Sequence, residues 1–278
     1  MKKIKRIALC LTICASLALS SIAHADIVLE YLVKESGVST ATTQDIAIKN
    51  DQIMVKAAGG DKNFDLLYRH AAESVVIVDH RKGTLMTVDE QQVDRINQQA
   101  QNVQPLLQGL GEQIAKLPPD QRQTLQELLG DNASLVMNDK AAAPSAPTRL
   151  VPTGVKREVA GIRCQVMRVM QRATSLAEVC LADAATMKIS DNDAATIRAL
   201  FGFYERLALK SQGLACQLGV TFPNIAAREV TGIPIEFRGL SCKDNGSMTL
   251  RRINTSIVSP ELMRIPSGYK AVPLALWQ

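Results

Sequence analysis

The chain has 278 residues, of which 46% are hydrophobic, 4% aromatic and 21% charged, and its formal net charge is +5. Four of its 32 Lys and Arg residues, but none of its 27 Asp and Glu residues, fall within residues 1–25, so residues 26–278 carry 28 basic and 27 acidic side chains. This near neutrality excludes the basic surface typical of nucleic-acid-binding proteins, and the scarcity of aromatic residues argues against a platform for stacking bases or sugars.

Residues 1–25 have the pattern of a secretory signal peptide. A basic start precedes an apolar run, and Ala23-His24-Ala25 places small residues three and one positions before a predicted cleavage between Ala25 and Asp26. This run is too short to span a bilayer comfortably, and no later apolar run approaches the required length of about 18 residues. We therefore expect an exported periplasmic protein that is cleaved after Ala25 and does not span the membrane.

The alternative is a protein anchored to the membrane by a lipid. A lipobox needs a small residue directly before its cysteine, whereas Leu9 precedes Cys10 and Ile13 precedes Cys14. Both cysteines also lie inside the apolar run rather than at its end. The sequence thus favours a free periplasmic protein, from which both of these cysteines are removed.

Alternating apolar and polar residues predict strands from Ile27 to about Val88. Asn50-Asp51 is a tight-turn signal, and a polar loop that ends at Gly83 separates the last two strands. The pattern indicates an antiparallel meander. Its predicted strands are Ile27–Val33, Thr42–Lys49, Gln52–Ala57, Ser74–Val78 and Thr84–Val88.

The hydrophobic period then changes to that of a helix. Asp89 can cap a first helix, with Gln92 as its reciprocal partner, and apolar residues follow at steps of three and four. Pro118-Pro119-Asp120 starts a second helix that is predicted to end at Gly130. These two helices form a predicted insert over residues 89–130.

Residues 138–152 are rich in Ala and Pro and are predicted to be a linker. A flexible loop inside one domain is equally compatible with this composition. Beyond it, Gly161–Gln171 and Leu176–Ala182 predict a hairpin, and a helix is predicted from Ser190 or Asp191 to about Leu209. Strands are predicted again at Ile233–Leu240 and Ser247–Ile257. We expect a single domain over residues 26–278.

Four cysteines remain after the predicted cleavage: Cys164, Cys180, Cys216 and Cys242. An even number in an exported chain predicts two disulfides, and the spacings lack the Cys-x-x-Cys pairs of zinc and redox sites. Cys164 and Cys180 lie on the two arms of the predicted hairpin and can meet across it, which leaves Cys216 to pair with Cys242. Four cysteines allow three connectivities, and this is the one we predict.

No catalytic, metal or cofactor motif is present. Asp79 and His80 could combine with Ser74 in a hydrolase triad, but both lie in a predicted turn and no Gly-x-Ser-x-Gly elbow exists. His70, the other histidine after cleavage, has no neighbouring His or carboxylate cluster that would indicate a metal site. We therefore expect no enzymatic activity, no metal and no cofactor.

Eight methionines remain after the predicted cleavage. Because methionine adapts to irregular apolar surfaces, several of them inside a sheet could line a pocket for acyl chains. The alternative is that they simply fill the core.

Four short motifs resemble a known family. They are Val159–Cys164, Glu178–Ala182, Gly232–Phe237 and Ile265–Tyr269, and together they resemble exported bacterial proteins of the family called domain of unknown function 4412. That family is similar to the periplasmic lipoprotein-carrier (LolA/LolB-like) superfold. The resemblance covers mainly residues 153–270 and implies an α+β fold, in which a strongly curved antiparallel sheet, a half-barrel, wraps over helices that cover an apolar cavity. It does not imply carrier function, because none of the carriers' functional residues can be matched individually.

Two functions follow from these patterns. The first is a soluble, non-enzymatic periplasmic binding protein that holds a lipid or other apolar ligand, such as an acyl chain, in the half-barrel. The second is an envelope structural or protein-interaction module, whose Gln-rich helical region (Gln91–Gln108) presents a surface to an envelope protein.

Overall fold

The computed structural model describes residues 26–34, 40–58, 63–129, 146–211, 225–239, 246–255 and 258–274. The predicted signal peptide, the start of the predicted linker, Cys216 and Cys242 lie outside these ranges. The described residues form one twelve-stranded sheet and three α-helices. The strands are β1 Ile27–Lys34, β2 Thr42–Lys49, β3 Gln52–Ala58, β4 Phe64–Arg69, β5 Ser74–Asp79, β6 Thr84–Val88, β7 Thr148–Val159, β8 Ile162–Gln171, β9 Thr174–Ala182, β10 Ile233–Arg238, β11 Ser247–Asn254 and β12 Lys270–Val272. The helices are α1 Glu90–Ala115, α2 Pro119–Leu129 and α3 Asp191–Ser211.

The strand order is β12-β6-β5-β4-β3-β2-β1-β11-β10-β9-β8-β7. Neighbouring strands are antiparallel, except that the short β12 runs parallel to β6. Strand β1 lies in the middle and pairs with β2 on one side and β11 on the other. The sheet is open, with β7 and β12 at its edges. The predicted α+β class and antiparallel sheet are confirmed.

The sheet is strongly curved at the β7 end. Three strands separate β7 from β11, so their backbones would lie roughly 19 Å apart in a flat sheet. Instead, Cα atoms of the two strands come within 8 Å of each other. The family resemblance implied a curved sheet, and its half-barrel wrapped over helices that cover an apolar cavity stays a prediction.

One face of the sheet, the helix face, packs against α1 and α3. Alternate residues of β1, among them Ile27 and Leu29, are fully or almost fully buried there, as the period of a strand requires. Helix α3 contributes Phe203, whose ring lies 5.7 Å from the ring of Tyr68 on β4. Helix α1 contributes Val93, which is completely buried. The helix face therefore forms the main core.

The opposite face, the second face, has a smaller core of its own. It consists of residues that alternate with the main core along β2 to β5, such as Met54 and Val78. Residues 258–269 cover this core and place Val258, Leu262 and Tyr269 against it. The chain after β11 thus returns across the sheet before β12 pairs with β6.

The predicted turns and helix starts are confirmed where local chemistry specifies them. Asn50 and Asp51 both adopt positive φ, at 50° and 58°, which suits a tight hairpin turn. The Asp89 carboxylate accepts a hydrogen bond from the Gln92 backbone N–H at 2.7 Å and caps α1. Helices α1 and α2 occupy most of the predicted insert over residues 89–130.

Strand β7 differs from the sequence prediction. Its first residues, Thr148–Pro152, belong to the segment that was predicted to be a linker, and the strand continues to Val159. Proline is tolerated here because an edge strand needs no backbone N–H on its outer side. The outward N–H of Leu150 donates to the Glu229 carboxylate instead. Pro152 and Gly154 are thus part of an irregular edge strand, although such residues also suggest a loop.

An ion-pair network holds α1 against α3. Glu90, at the start of α1, accepts hydrogen bonds from Arg206 and Lys210 on α3. Lys210 also pairs with Asp94 at 2.8 Å. The hydrogen bonds from Arg206 and then Lys210 lower the pKa of Glu90 below its usual 4.5.

We predict that Glu90→Gln lowers stability at neutral pH by about 1 kcal/mol, a value at the upper end for exposed pairs. A carboxylate with a lowered pKa in the folded state stabilises above its unfolded pKa, and this contribution disappears as the pH falls through the folded pKa. The difference in the free energy of unfolding between variant and wild type, measured with urea, should therefore shrink as the pH falls from about 5 to about 3. Glu158→Gln, on the exposed edge strand, is the control, and a Glu90 difference that stays constant with pH would contradict the prediction.

Candidate functional site

The predicted hairpin disulfide is present. Cys164 on β8 and Cys180 on β9 are joined with an S–S distance of 2.08 Å and a Cα–Cα distance of 5.4 Å. This confirms the first predicted pairing. Cys216 and Cys242 lie outside the described residues, so their pairing stays a prediction.

An ion pair lies beside this disulfide. Cys164 is opposite Arg157 in the β7–β8 ladder, and Cys180 is opposite Glu236 in the β9–β10 ladder. Arg157 donates to Glu236 with an Nη1–Oε2 distance of 2.5 Å, and its other terminal nitrogen lies 3.4 Å from Glu178. The hydrogen bond to Glu236 is the main cause that raises the pKa of Arg157. The pair connects β7 to β10 across two intervening strands.

Glu236 is a buried carboxylate in an apolar strand. Its side chain is 7% exposed, between Ile235 and Phe237, which are fully buried. Burying an unpaired charge costs several kcal/mol, so such a carboxylate needs cationic partners. Arg157 binds one of its oxygens and Arg238 binds the other, at 2.9 Å.

Glu30 on β1 repeats this arrangement. Its Oε1 pairs with Arg251 at 2.9 Å, and its Oε2 pairs with Arg252 at 2.5 Å. Consecutive strand residues normally point to opposite faces. The β1–β11 register shifts at this point, where Glu30 is opposite Arg252 and Tyr31 is opposite Leu250. This bulge lets two consecutive arginines reach the same carboxylate.

Both glutamates lie on the second face. Glu236 is level with Thr249 on β11 and Leu32 on β1, and Leu32 follows Glu30 by two residues. Residues at even spacing along a strand share a face. We call this surface the arginine face and define it as Glu30, Leu32, Arg157, Glu236, Arg238, Thr249, Arg251 and Arg252. It carries four arginines and two glutamates, and a third glutamate, Glu178, lies at its margin beside Arg157. The side chains of Arg238, Arg251 and Arg252 are 53%, 59% and 70% exposed.

A second polar cluster surrounds Asp65 on β4. This buried carboxylate pairs with Lys56 at 2.8 Å and with His80 Nε2 at 2.9 Å. The other ring nitrogen of His80 lies 3.0 Å from the Tyr269 hydroxyl. The cluster attaches residues 258–269 to the β5–β6 turn, and Tyr269 belongs to the last of the four sequence motifs.

The structure does not assemble the triad considered from sequence. Ser74 and Asp79 begin and end β5, so they are separated by roughly 16 Å of extended chain. The Asp79 carboxylate accepts the backbone N–H groups of Arg81 and Lys82, at 2.9 and 3.1 Å. His80 instead contacts Asp65. Within the described ranges, no group of three or more His, Cys, Asp or Glu side chains is placed to hold a metal ion.

Asp26, the residue after the predicted cleavage, has a structural role. Its buried carboxylate accepts from Lys49 Nζ at 2.6 Å and from the Val258 backbone N–H at 2.9 Å. Lys49 also donates to the Val258 carbonyl at 3.0 Å. These contacts tie the start of β1 to the segment that covers the second face.

The methionines do not gather in one pocket. Met54 and Met263 pack on the second face, whereas Met187 is part of the main core. Met137 lies outside the described residues. None of the helices in the described part of the chain has the length and apolarity needed to cross a bilayer.

Most of the arginine face was not identified from the sequence. Glu236 appeared only as part of a family motif, and the arginines were not singled out. A usable signal was present, because Glu30 and Glu236 each interrupt a run of apolar strand residues and so predict buried carboxylates in need of cations. The identity of those cations depends on strand order, which periodicity does not show.

No family model matches the chain, so the family resemblance is not confirmed, and no curated protein matches it either. Among solved structures, it is similar to an uncharacterized conserved protein from Thermus thermophilus, with 7% identity, a TM-score of 0.40, and coverage of 91% of this chain and 92% of that one. It is also similar to MucB in complex with MucA(peri), with 12% identity, a TM-score of 0.29, and coverage of 87% of this chain and 54% of MucB. PNGF-II shows 8% identity and a TM-score of 0.30, with 90% of this chain and 31% of that chain covered. All three likenesses are weak, so the function of this chain is inferred from its own residues.

We predict that the double variant Cys164→Ala/Cys180→Ala loses about 3 kcal/mol of stability. The disulfide joins residues 16 positions apart, and its removal raises the conformational entropy of the unfolded chain. Urea unfolding without reductant measures this loss. The control is Cys216→Ala/Cys242→Ala. Its non-reducing peptide map should retain a Cys164–Cys180 peptide, and a map that joins Cys164 to another residue in the wild type would contradict the assignment.

Proposed function

We propose that this protein is an exported, non-enzymatic binding module of the bacterial envelope that holds a protein partner on the arginine face. The observation that carries the proposal is the pairing of two buried glutamates with four arginines. On the helix face, side chains such as Phe203 and Val93 are completely buried. The arginine face instead presents charged groups that remain largely exposed.

The buried glutamates suit this role because they hold the arginines in place. A free arginine side chain loses rotamer freedom when it binds, and that loss opposes association. Glu30 and Glu236 restrict their arginines before any partner arrives. Strands β1, β10 and β11 fix the two glutamates relative to each other. Such preorganisation favours recognition over the diffuse attraction of a mobile charged loop.

The predicted export and the family resemblance of the sequence motifs support this proposal. The signal-peptide pattern of residues 1–25 and the Cys164–Cys180 disulfide are both typical of exported proteins. The open, curved antiparallel sheet with helices on one face agrees with the LolA/LolB-like architecture that the motifs resemble. We propose no reaction for the module.

We predict that a photocrosslinking residue at Leu32, in the centre of the arginine face, forms a defined protein adduct in intact cells. Leu209 on α3 is the matched control, because the two leucines are equally exposed, at 37% and 38%. Mass spectrometry should identify one partner at Leu32 and not at Leu209, and Arg252→Gln should weaken its adduct. The absence of an adduct at Leu32, or the same adduct at both positions, would contradict the proposal.

A second candidate function is the binding of an apolar ligand with a polar head group between sheet and helices. The Tyr68 hydroxyl favours it, since this group is buried at the main core and has no hydrogen-bond partner among the described residues. Burial is also the main cause that raises the pKa of Tyr68 to about 12. A ligand hydroxyl or carbonyl would satisfy this group.

Native mass spectrometry of protein purified from its own periplasm tests this second function. It should show an adduct of lipid mass, and Tyr68→Phe, which removes only the hydroxyl, should reduce its occupancy severalfold. Tyr269→Phe is the control, because Tyr269 lies on the second face. Protein that is free of any adduct, with lipid added back and not retained, would rule out this function.

A further inference from the structure

We propose that the arginine face binds an extended acidic segment of a polypeptide, with one carboxylate at each arginine pair. This inference rests on the proposed function and adds the chemistry of the partner. The two pairs are Arg251 with Arg252, held by Glu30, and Arg157 with Arg238, held by Glu236.

The arginines have hydrogen-bond donors available to bind the carboxylates of such a segment. A guanidinium group has five N–H donors in a planar fork that matches a carboxylate. Each arginine of the face contributes one nitrogen to its closest contact with Glu30 or Glu236, and three of the four are more than half exposed. The intramolecular contacts already show that these groups are positioned for carboxylate oxygens. A second carboxylate can therefore bind from the solvent side.

The spacing of the two pairs fits an extended peptide. Glu236 on β10 and Glu30 on β1 are two strands apart across the sheet and two residues apart along the strand direction. This corresponds to roughly 12 Å between their Cα atoms. Residues i and i+4 of an extended chain lie about 13 Å apart and point to the same side. Leu32 and Thr249 lie between the pairs and offer an apolar surface and a hydroxyl to the intervening residue.

The charges around the face favour an acidic polypeptide and limit where it lies. Four arginines against Glu30, Glu236 and the adjacent Glu178 leave a net charge of +1 on this surface. Asp45 on β2 is opposite Glu30 and places negative charge at one margin, so the segment should lie toward β10 and β11. A membrane of anionic lipids is the other source of acidic groups. The face favours the peptide, because its arginines form two spaced pairs with a single exposed leucine between them, whereas lipid headgroups impose no such spacing.

Fluorescence anisotropy with the exported full-length protein tests this inference. The probe is a labelled 12-residue peptide of alternating Glu and Ser, and peptides of alternating Lys and Ser and of Gly and Ser are the comparisons. We expect the acidic peptide alone to bind, with weaker affinity as salt is raised, because exposed ion pairs are screened. Arg251→Gln/Arg252→Gln should weaken its binding about tenfold.

Matched variants distinguish binding of the peptide at the arginine face from attraction by the overall charge of the protein. Arg95→Gln/Arg198→Gln removes the same charge from exposed positions on α1 and α3 and should change affinity less than about twofold. Glu30→Gln/Arg252→Gln removes an anion with a cation, which avoids leaving a buried carboxylate unpaired. It should still weaken binding severalfold, and thermal unfolding checks that each variant is folded.

Three results would overturn the inference. Equal losses of peptide affinity in Arg95→Gln/Arg198→Gln and in Arg251→Gln/Arg252→Gln would show attraction by net charge alone. Binding to vesicles that contain phosphatidylglycerol, without binding to the acidic peptide, would identify a membrane as the occupant. Failure of the acidic peptide to bind, while the Leu32 adduct still forms in cells, would reject an acidic segment and leave the proposed protein partner in place.

Discussion

Strand β1 is the constraint on which the rest of the structure depends. It lies in the middle of the sheet, where β2 pairs with one edge and β11, more than 200 residues later, with the other. The buried Tyr31 hydroxyl donates to the Pro234 carbonyl at 2.8 Å, which also ties β1 to β10. Without β1 the sheet would divide into two halves, each with an open edge. Pairing over such sequence distances carries a large loop-closure cost and slows folding.

Buried carboxylates on the second face make the other long-range connections. Asp26, Glu30, Asp65 and Glu236 are all less than a tenth exposed, and each is paired with a cation. Each has at least one partner on another strand, and Asp26 also accepts a hydrogen bond from the backbone of Val258. A buried pair adds little net stability compared with apolar packing, but breaking one leaves an uncompensated charge. These pairs therefore select one arrangement of strands and of the covering segment.

The two faces of the sheet thus differ in the side chains that they carry. The helix face follows the ordinary rule that apolar residues are buried, and its aromatic side chains come from both α3, such as Phe203, and the strands, such as Tyr68. The second face has two parts. Residues 258–269 cover its small core, whereas the described residues leave the arginines of the arginine face more exposed. In the proposed function, the cationic surface provides specificity because the sheet holds its arginines in place, whereas helix packing provides stability. The two proposed functions correspond to these two faces.

The sequence by itself determined the elements whose signals are local. The α+β class, the capped start of α1 at Asp89, the turn at Asn50-Asp51 and the Cys164–Cys180 hairpin all depend on residues close together in the chain, and all are confirmed. Edge strand β7 has no counterpart among the strands predicted from the sequence, since Pro152 and Gly154 have the same local signature in a loop. Only the tertiary structure decided which cations neutralise Glu30 and Glu236, and that His80 contacts Asp65 rather than its neighbour Asp79. The reason is physical: periodicity specifies which face a residue occupies, whereas strand order and register, set by pairing over the whole chain, specify which residues meet there.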